Sequence, residues 1–201
     1  MEPDSKDKVL AAAAEEFAEY GLSGARVDRI ASRAGVNKAM IYYHFSSKEN
    51  LYQMVIDGRL TAMADSLSSA LSDTESDMEG ALVRASRAYH AAFRDHTRFG
   101  AIFLHELADG GERLRKSLRR IIFRRGLPEK IERLMIAGIR AGNLRKIDTR
   151  QALISFVGMN LFYLMTSPIV SSALEIKDEK KFQDKRPESI VDLFMRGIQK
   201  R

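Results

Sequence analysis

Across its 201 residues the chain has no cysteine. That removes disulfides, thiolate metal sites and cysteine nucleophiles together, and it fits a reducing compartment. Histidine is scarce: the four, His44, His90, His96 and His105, show no metal-ligand spacing, since 90 and 96 fall on different helical faces. A Gly-rich phosphate loop, a G-x-S-x-G elbow and an H-E-x-x-H pair are all missing, so no catalytic motif supports an enzyme, and neither cofactor nor metal is expected. No period-two strand pattern of useful length and no internal repeat occurs, which leaves an all-α fold. The stretch MEPDSKDKVL is acidic and polar where a secretion signal is basic and then apolar, so a cytoplasmic protein is expected.

What is present is an ordinary globular composition, 45% apolar and 30% charged, with a net charge of +6. The length suits one fair-sized domain, or a small one and a larger one. The excess charge invites a nucleic-acid reading, but residues 1–60 carry 8 Lys+Arg against 9 Asp+Glu, and the remainder 25 against 18. Inside the first part, Arg26, Arg29, Arg33, Lys38 and Lys48 outweigh the single Asp28 before Glu49. Any DNA contact is therefore expected from a local patch rather than from bulk charge.

Apolar residues recur at three and four nearly everywhere. Val9, Leu10, Ala13, Ala14 and Phe17 make one stripe, ended by Tyr20-Gly21. A second short helix, VDRIASRA, spans about 27–34 and stops at Gly35; a third covers about 38–44. Ser46 and Glu49 form a Ser-x-x-Glu capping box, predicting a long helix to about 71. Breaks are expected at SDTESD (72–77), Asp109-Gly110-Gly111, Gly126-Leu127-Pro128, Gly142-Asn143 and across EIKDEKKFQDKRPE (175–188).

The two short helices and the glycine between them are the parts of a helix-turn-helix, whose second helix enters the major groove. Ala31 permits close approach of the backbones, Gly35 supplies the positive φ of the turn, and Asn37 is a competent N-cap. Ile41 and Phe45, four apart, give the second helix an inward face. Lys38, Ala39, Met40, Tyr42, Tyr43 and His44 are left facing out. Such a mixture suits a phosphate-lined groove: Tyr and His donate to phosphate oxygens, Ala and Met can touch a thymine methyl, and Lys38 can reach a guanine edge.

Ile30-Ala31, Ala34-Gly35-Val36, Ile41-Tyr42-Tyr43-His44-Phe45 and Lys48-Glu49-x-Leu51, with Phe17 and Gly21 before them, resemble the tetracycline-repressor (TetR) family of bacterial transcriptional regulators. The match spans about 50 residues and some dozen positions without a gap; the rest of the chain matches in length and helical layout. The resemblance implies an N-terminal helix-turn-helix domain, 1–47, and a larger helical effector-binding and dimerisation domain, 48–201. It implies phosphate contacts from Tyr42, His44 and Lys48, and base-edge contacts from Lys38, Ala39, Met40 and Tyr43. Val27 and Asn37 belong to the same interface. Arg26 departs from the pattern, standing where the family often has a capping Ser or Thr, so the cap is expected to be missing and Arg26 to grip a phosphate instead.

By the same resemblance the protein is a homodimer on double-stranded, pseudo-palindromic DNA, paired through helices at about 150–167 and 188–199. Ile190, Leu193, Phe194, Gly197 and Ile198 make the stripe on the second of these. A repressor released by a small, mainly hydrophobic effector is the expected role, and a ligand-responsive activator is the alternative. Pocket residues are sought among Tyr89, Phe93, Phe103, His105, Met135, Ile139, Phe156, Asn160 and Tyr163, with Asn160 foremost because an amide in an uncharged helix needs a partner.

Two further stretches carry two readings each. QALISFVGMNLFYLMTSPIVSSAL (151–174) has no charge over 24 positions, enough to span a bilayer, but Gln151, Asn160, Pro168 and five Ser or Thr favour a helix buried in a helical dimer. RLRKSLRRIIFRR (113–125) has seven basic residues in thirteen, with Arg113, Lys116, Arg120 and Arg124 on one side. A solvated amphipathic face explains that run, and so does attraction of an anionic ligand or partner.

Overall fold

The computed structural model describes residues 5–72, 77–94 and 97–200. His96 and most of the SDTESD break therefore lie outside the described residues. Within them the chain is helical throughout, the only pairing of extended backbone being an isolated bridge between Leu144 and Gln199. The helices are α1 (Ser5–Gly24), α2 (Val27–Ala34), α3 (Lys38–Phe45), α4 (Lys48–Ala70), α5 (Met78–Arg94), α6 (Thr97–Ala108), α7 (Glu112–Leu118), α8 (Leu127–Arg140), α9 (Thr149–Ala173) and α10 (Glu179–Ile198). A π-helical turn, Arg119–Phe123, continues α7.

The chain forms two compact units, Met1–Thr61 with His96–Ile121, and Ala62–Asp95 with Ile122–Arg201. In the first, α1 packs on α2 and α6, and α2 on α3. Val9, Phe17, Ile30, Ile41, Phe45, Leu51 and Tyr52 are buried there, with the Phe17 and Tyr52 rings edge to face at 4.7 Å. Burying each such side chain stabilises by about 1.5–3 kcal/mol. The expected end of the first helix is real: at Gly21 the backbone takes φ 64, ψ −177, and the helix is broken there before one more turn.

In the second unit, α10 packs on α5, and α9 on α5, α8 and α10. Phe156 and Phe194 meet at 5.3 Å in its core. Asn160, fully buried on α9, accepts from the Ser86 hydroxyl and donates to the Phe156 carbonyl at 2.8 Å. The chain end is tied back by Arg145 N–H to the Ile198 carbonyl (2.9 Å) and Lys200 N–H to the Asn143 carbonyl (3.2 Å).

Several expectations need correction. The cap of α4 is Ser47, whose hydroxyl accepts from Asn50 N–H at 3.1 Å; Ser46 instead leaves α3 at φ 65 and has no capping-box partner in Glu49. The charged stretch 175–188 is mostly helix rather than break. Asp178 caps α10 through Lys181 N–H (2.9 Å), Phe182 packs on Tyr163 (5.1 Å) and Pro187 is buried, so tertiary packing overrides a loop-like composition. On α10, Ile190, Phe194 and Ile198 are core of their own unit; only Leu193 and Gly197 of the expected stripe are exposed.

The basic run divides as well. Arg113 lies 3.7 Å from Glu106 and Lys116 2.7 Å from Glu112, while Arg120 and Arg125 pair with Asp57 and Asp65. A π-helical turn, Arg119–Phe123, lies between Lys116 and Arg124.

The Gly21 conformation belongs to a region only glycine enters without strain, and an added Cβ would sit 3.3 Å from the His105 ring. Gly21→Ala is expected to lower stability by about 1–3 kcal/mol, measured as a shift of the urea midpoint with unchanged slope.

Candidate nucleic-acid interface

α2, the Gly35 turn and α3 are held by local signals that agree with one another. Gly35 adopts φ 65, ψ 33, and its neighbour Val36 returns its N–H to the Ala31 carbonyl at 3.1 Å, closing α2. The Asn37 side chain then accepts from Ala39 N–H at 2.9 Å and starts α3. With Ile41 and Phe45 turned into the core, α3 presents Met40 (38% exposed), Tyr42 (45%) and Tyr43 (81%) outward, beside exposed Lys38 and Ala39. Tyr43 and Met40 are thus not core residues.

The start of α2 is built differently. Arg26 occupies the N-cap position with no side-chain cap, as its identity suggested. Its backbone N–H donates instead to Glu16 Oε1 at 3.0 Å, and Arg29 Nε donates to the same oxygen at 2.6 Å. Glu16 is fully buried. Burial pushes its pKa up, but the Arg29 hydrogen bond, the Arg26 N–H and the charges of Arg29 and Arg33 pull harder, and the carboxyl titrates below its ordinary range. Arg29 also donates to the Gly24 carbonyl (2.9 Å) and lies over the Tyr20 ring, 4.1 Å from its centre.

The local basic patch is consequently smaller than a count along the chain implies. Arg29 is engaged by Glu16, and Arg33 faces Glu15, Glu16 and Glu19, its shortest approach being 3.0 Å to Glu19. Lys38 sits 2.8 Å from Asp28, whose hydrogen bond and charge raise the lysine pKa. Arg26 makes no ion pair among the described residues, and Lys48 donates to the Ala25 carbonyl at 3.1 Å. His44 Nε2 lies 3.2 Å from the Ser5 hydroxyl. Arg26, Val27, Lys38, Tyr42 and Lys48 line one surface cup of about 430 Å³, closed by Asp28, Ser47 and Glu49. The sequence missed the acidic side of this arrangement. Glu15, Glu16 and Glu19 share a face of α1, and Arg29 and Arg33, four apart, share the matching face of α2.

Of the sought pocket residues, Tyr89, Phe93, Met135, Ile139, Phe156, Asn160 and Tyr163 all lie in the second unit, and all but Ile139 are buried. Burial pushes the Tyr89 phenol up to about 12. The Asn160 amide already has protein partners, and the Tyr163 hydroxyl pairs with Ser171 at 2.8 Å. Phe103 and His105 belong to the first unit, where His105 covers Gly21 with Nε2 3.3 Å from the Ala18 carbonyl.

Residues 9–55 match the model described as bacterial regulatory proteins, tetR family, and residues 79–193 match the tetracyclin repressor-like C-terminal domain. This chain belongs to the TetR family. It is a helix-turn-helix, DNA-binding transcriptional regulator, as the outward face of α3 anticipates. Among TetR-family relatives, the transcriptional repressor SCO4008 of Streptomyces coelicolor is 36% identical over 88 residues, 44% of this chain and 43% of that protein. The transcriptional regulator RutR of Escherichia coli is 26% identical over 200 residues, 98% of this chain and 91% of that protein. Two solved TetR-like structures share the fold. PfmR from Thermus thermophilus has a TM-score of 0.72 at 22% identity, over 96% of this chain and 99% of that one. The hemolysin II regulator HlyIIR has 0.68 at 21%, over 98% of both chains.

Glu16 links this TetR-type reading head to pH. Its pKa is lower in the folded chain, so its stabilising effect is complete above the unfolded value near 4.5 and is lost as pH falls through the folded value. Glu16→Gln is expected to cost about 1–2 kcal/mol at neutral pH and to flatten the acid limb. Urea unfolding of both proteins at neutral pH and well below 4.5 checks this; parallel losses in the two would refute it.

Proposed function

We propose that the protein is a homodimeric repressor that occupies a pseudo-palindromic operator and leaves it when a small, mainly hydrophobic effector binds. The observation carrying this reading is the exposure of Tyr42, Tyr43 and Met40 on a helix anchored by Ile41 and Phe45. Lys38, Ala39, Met40 and Tyr43 face base edges, and Tyr42, His44 and Lys48 hold phosphate. Without a side-chain cap, the first N–H groups of α2 at Val27 and Asp28 open onto the cup that Arg26, Tyr42 and Lys48 line. A backbone phosphate fits there, at the positive end of the helix. Asn37 fixes the start of the reading helix.

In this reading residues 1–47 read DNA, residues 48–201 bind effector and partner, and α4 joins the two roles. The second copy covers α9 and α10, where Ile154 (67% exposed), Phe162 (62%), Ile169 (74%) and Leu193 (64%) stand in solvent on one protomer. α9 is long and apolar enough to cross a bilayer by length and composition. Its exposed apolar face and its inward Asn160 and Tyr163 suit a second copy better than lipid. The effector lies among Tyr89, Phe93, Met135, Ile139, Phe156 and Tyr163, and acts by binding one arrangement of the dimer better than the other. Asn160 contributes through Ser86 and the Phe156 carbonyl rather than by an unfilled bond. The protein works in the cytoplasm, with its DNA, and carries out no reaction of its own.

Selection of the purified protein against random duplex DNA is the test. An enriched palindrome with half-sites one helical turn apart, about 34–36 Å, is expected. No enrichment after unfolding, removal of bound ligand and refolding would sink the reading. On the selected site, Lys48→Ala should weaken binding evenly across sequences and reduce the salt slope by about 1, whereas Lys38→Ala should relax base preference at one position per half-site. Activation rather than repression would appear as operator occupancy raising transcription from a reporter.

A further inference from the structure

One cavity is unconnected with either the reading head or the interior residues assigned to the effector. It is a half-open groove of about 790 Å³ in the second unit, between the end of α4, the start of α5 and one long face of α8. That volume is in the range of small-molecule sites, roughly 300–1,000 Å³. Lining it from α8 are Lys130, Arg133, Leu134, Ala137 and Gly138, with the C-cap residue Ala141, spaced as one continuous helix face. From Lys130 to Ala141 this face runs about 16 Å along the axis.

The face is polarised. Both cations stand at its beginning and its remainder is apolar and largely small, while buried Leu71 and half-buried Met78, with exposed Ser72 and Asn143 at the rim, complete the groove. Four arginines of the same unit are in ion pairs, Arg84 with Asp77, Arg87 with Glu188, Arg125 with Asp65 and Arg196 with Asp192, while others such as Arg124, Arg140 and Arg150 make none among the described residues. Lys130 and Arg133 make no ion pair among the described residues. Two neighbouring cations repel one another, so their shared position at one end of an apolar trough favours an anion between them.

We propose that this groove binds an elongated amphipathic carboxylate, its head between Lys130 and Arg133 and its hydrocarbon body along Leu134, Ala137 and Ala141. Met135, buried on the opposite side of α8, belongs to the effector reading above, so the groove is a second site on the other face of the same helix. It does not depend on that reading or on DNA.

Equilibrium dialysis of the full chain, without DNA, against dodecanoate below its micellar concentration tests it, with dodecanol and inorganic phosphate as separate probes. Saturable binding of one dodecanoate per protomer is expected. The double variant Lys130→Gln, Arg133→Gln should weaken dodecanoate at least tenfold and leave dodecanol unchanged. Ala137→Phe, at an exposed position, should weaken both without moving the thermal midpoint. The charge variant keeps the test decisive if the phenylalanine variant fails to fold. Dodecanoate binding unchanged in the charge variant, or no tighter than that of phosphate alone, would overturn the proposal.

Discussion

Glu16 reaches from α1 beneath the start of α2 and takes up two donors of that helix at once, the Arg26 N–H and the Arg29 guanidinium. A carboxylate taken fully out of water is costly, of the order of several kcal/mol, unless its charge and lone pairs are matched. Here Arg29 and Arg33 match the charge, and Oε1 accepts from both the Arg29 guanidinium and the Arg26 backbone N–H, while the first N–H groups inside α2 keep no side-chain cap. Everything that follows in the reading head depends on where α2 is placed. The Gly35 turn sets α3 from α2, and Ile41 and Phe45 then decide which side of α3 faces outward.

The second unit is organised around an apolar layer rather than a charge. Phe156 and Phe194 lie at its centre, and the Ser86–Asn160 bond crosses from α5 to α9. Polar atoms placed that deep specify register: sliding α9 by one residue would part Asn160 Oδ1 from the Ser86 hydroxyl, though the Asn160 bond to the Phe156 carbonyl lies within α9 and would move with it. The outer side of α9 carries no such restraint, and its exposed Ile154, Phe162 and Ile169 contrast with the saturated interior.

How far these features could be seen in advance depends on whether their cause is local. The limits of α2, the Gly35 turn and the Asn37 cap rest on residues within a few positions of one another, and the sequence carried them. The α4 cap fell one residue from its expected place because two serines adjoin and only the left-handed turn at Ser46 decides between them. The 179–188 segment is helical with Phe182 packed on Tyr163 of α9 and Pro187 buried, a cause that lies outside the segment itself. The pairing of Arg29 and Arg33 with α1 is equally long-range, so a patch of five cations proved to contain two without carboxylate partners. Asn160 invited a ligand because its hydrogen-bond needs were visible and Ser86, 74 positions away, was not. The company α6 and α7 keep with the N-terminal helices left no mark in composition or period.

The internal neutralisation of the reading head bears on how such a protein finds its site. Attraction to arbitrary DNA comes from cations free to displace the counterions of the duplex. Arg29 and Arg33 are paired with carboxylates of α1, and Lys38 with Asp28. The exposed Lys38–Asp28 pair therefore lowers the positive charge that this end of α3 offers to any DNA, by a weak, solvent-screened interaction.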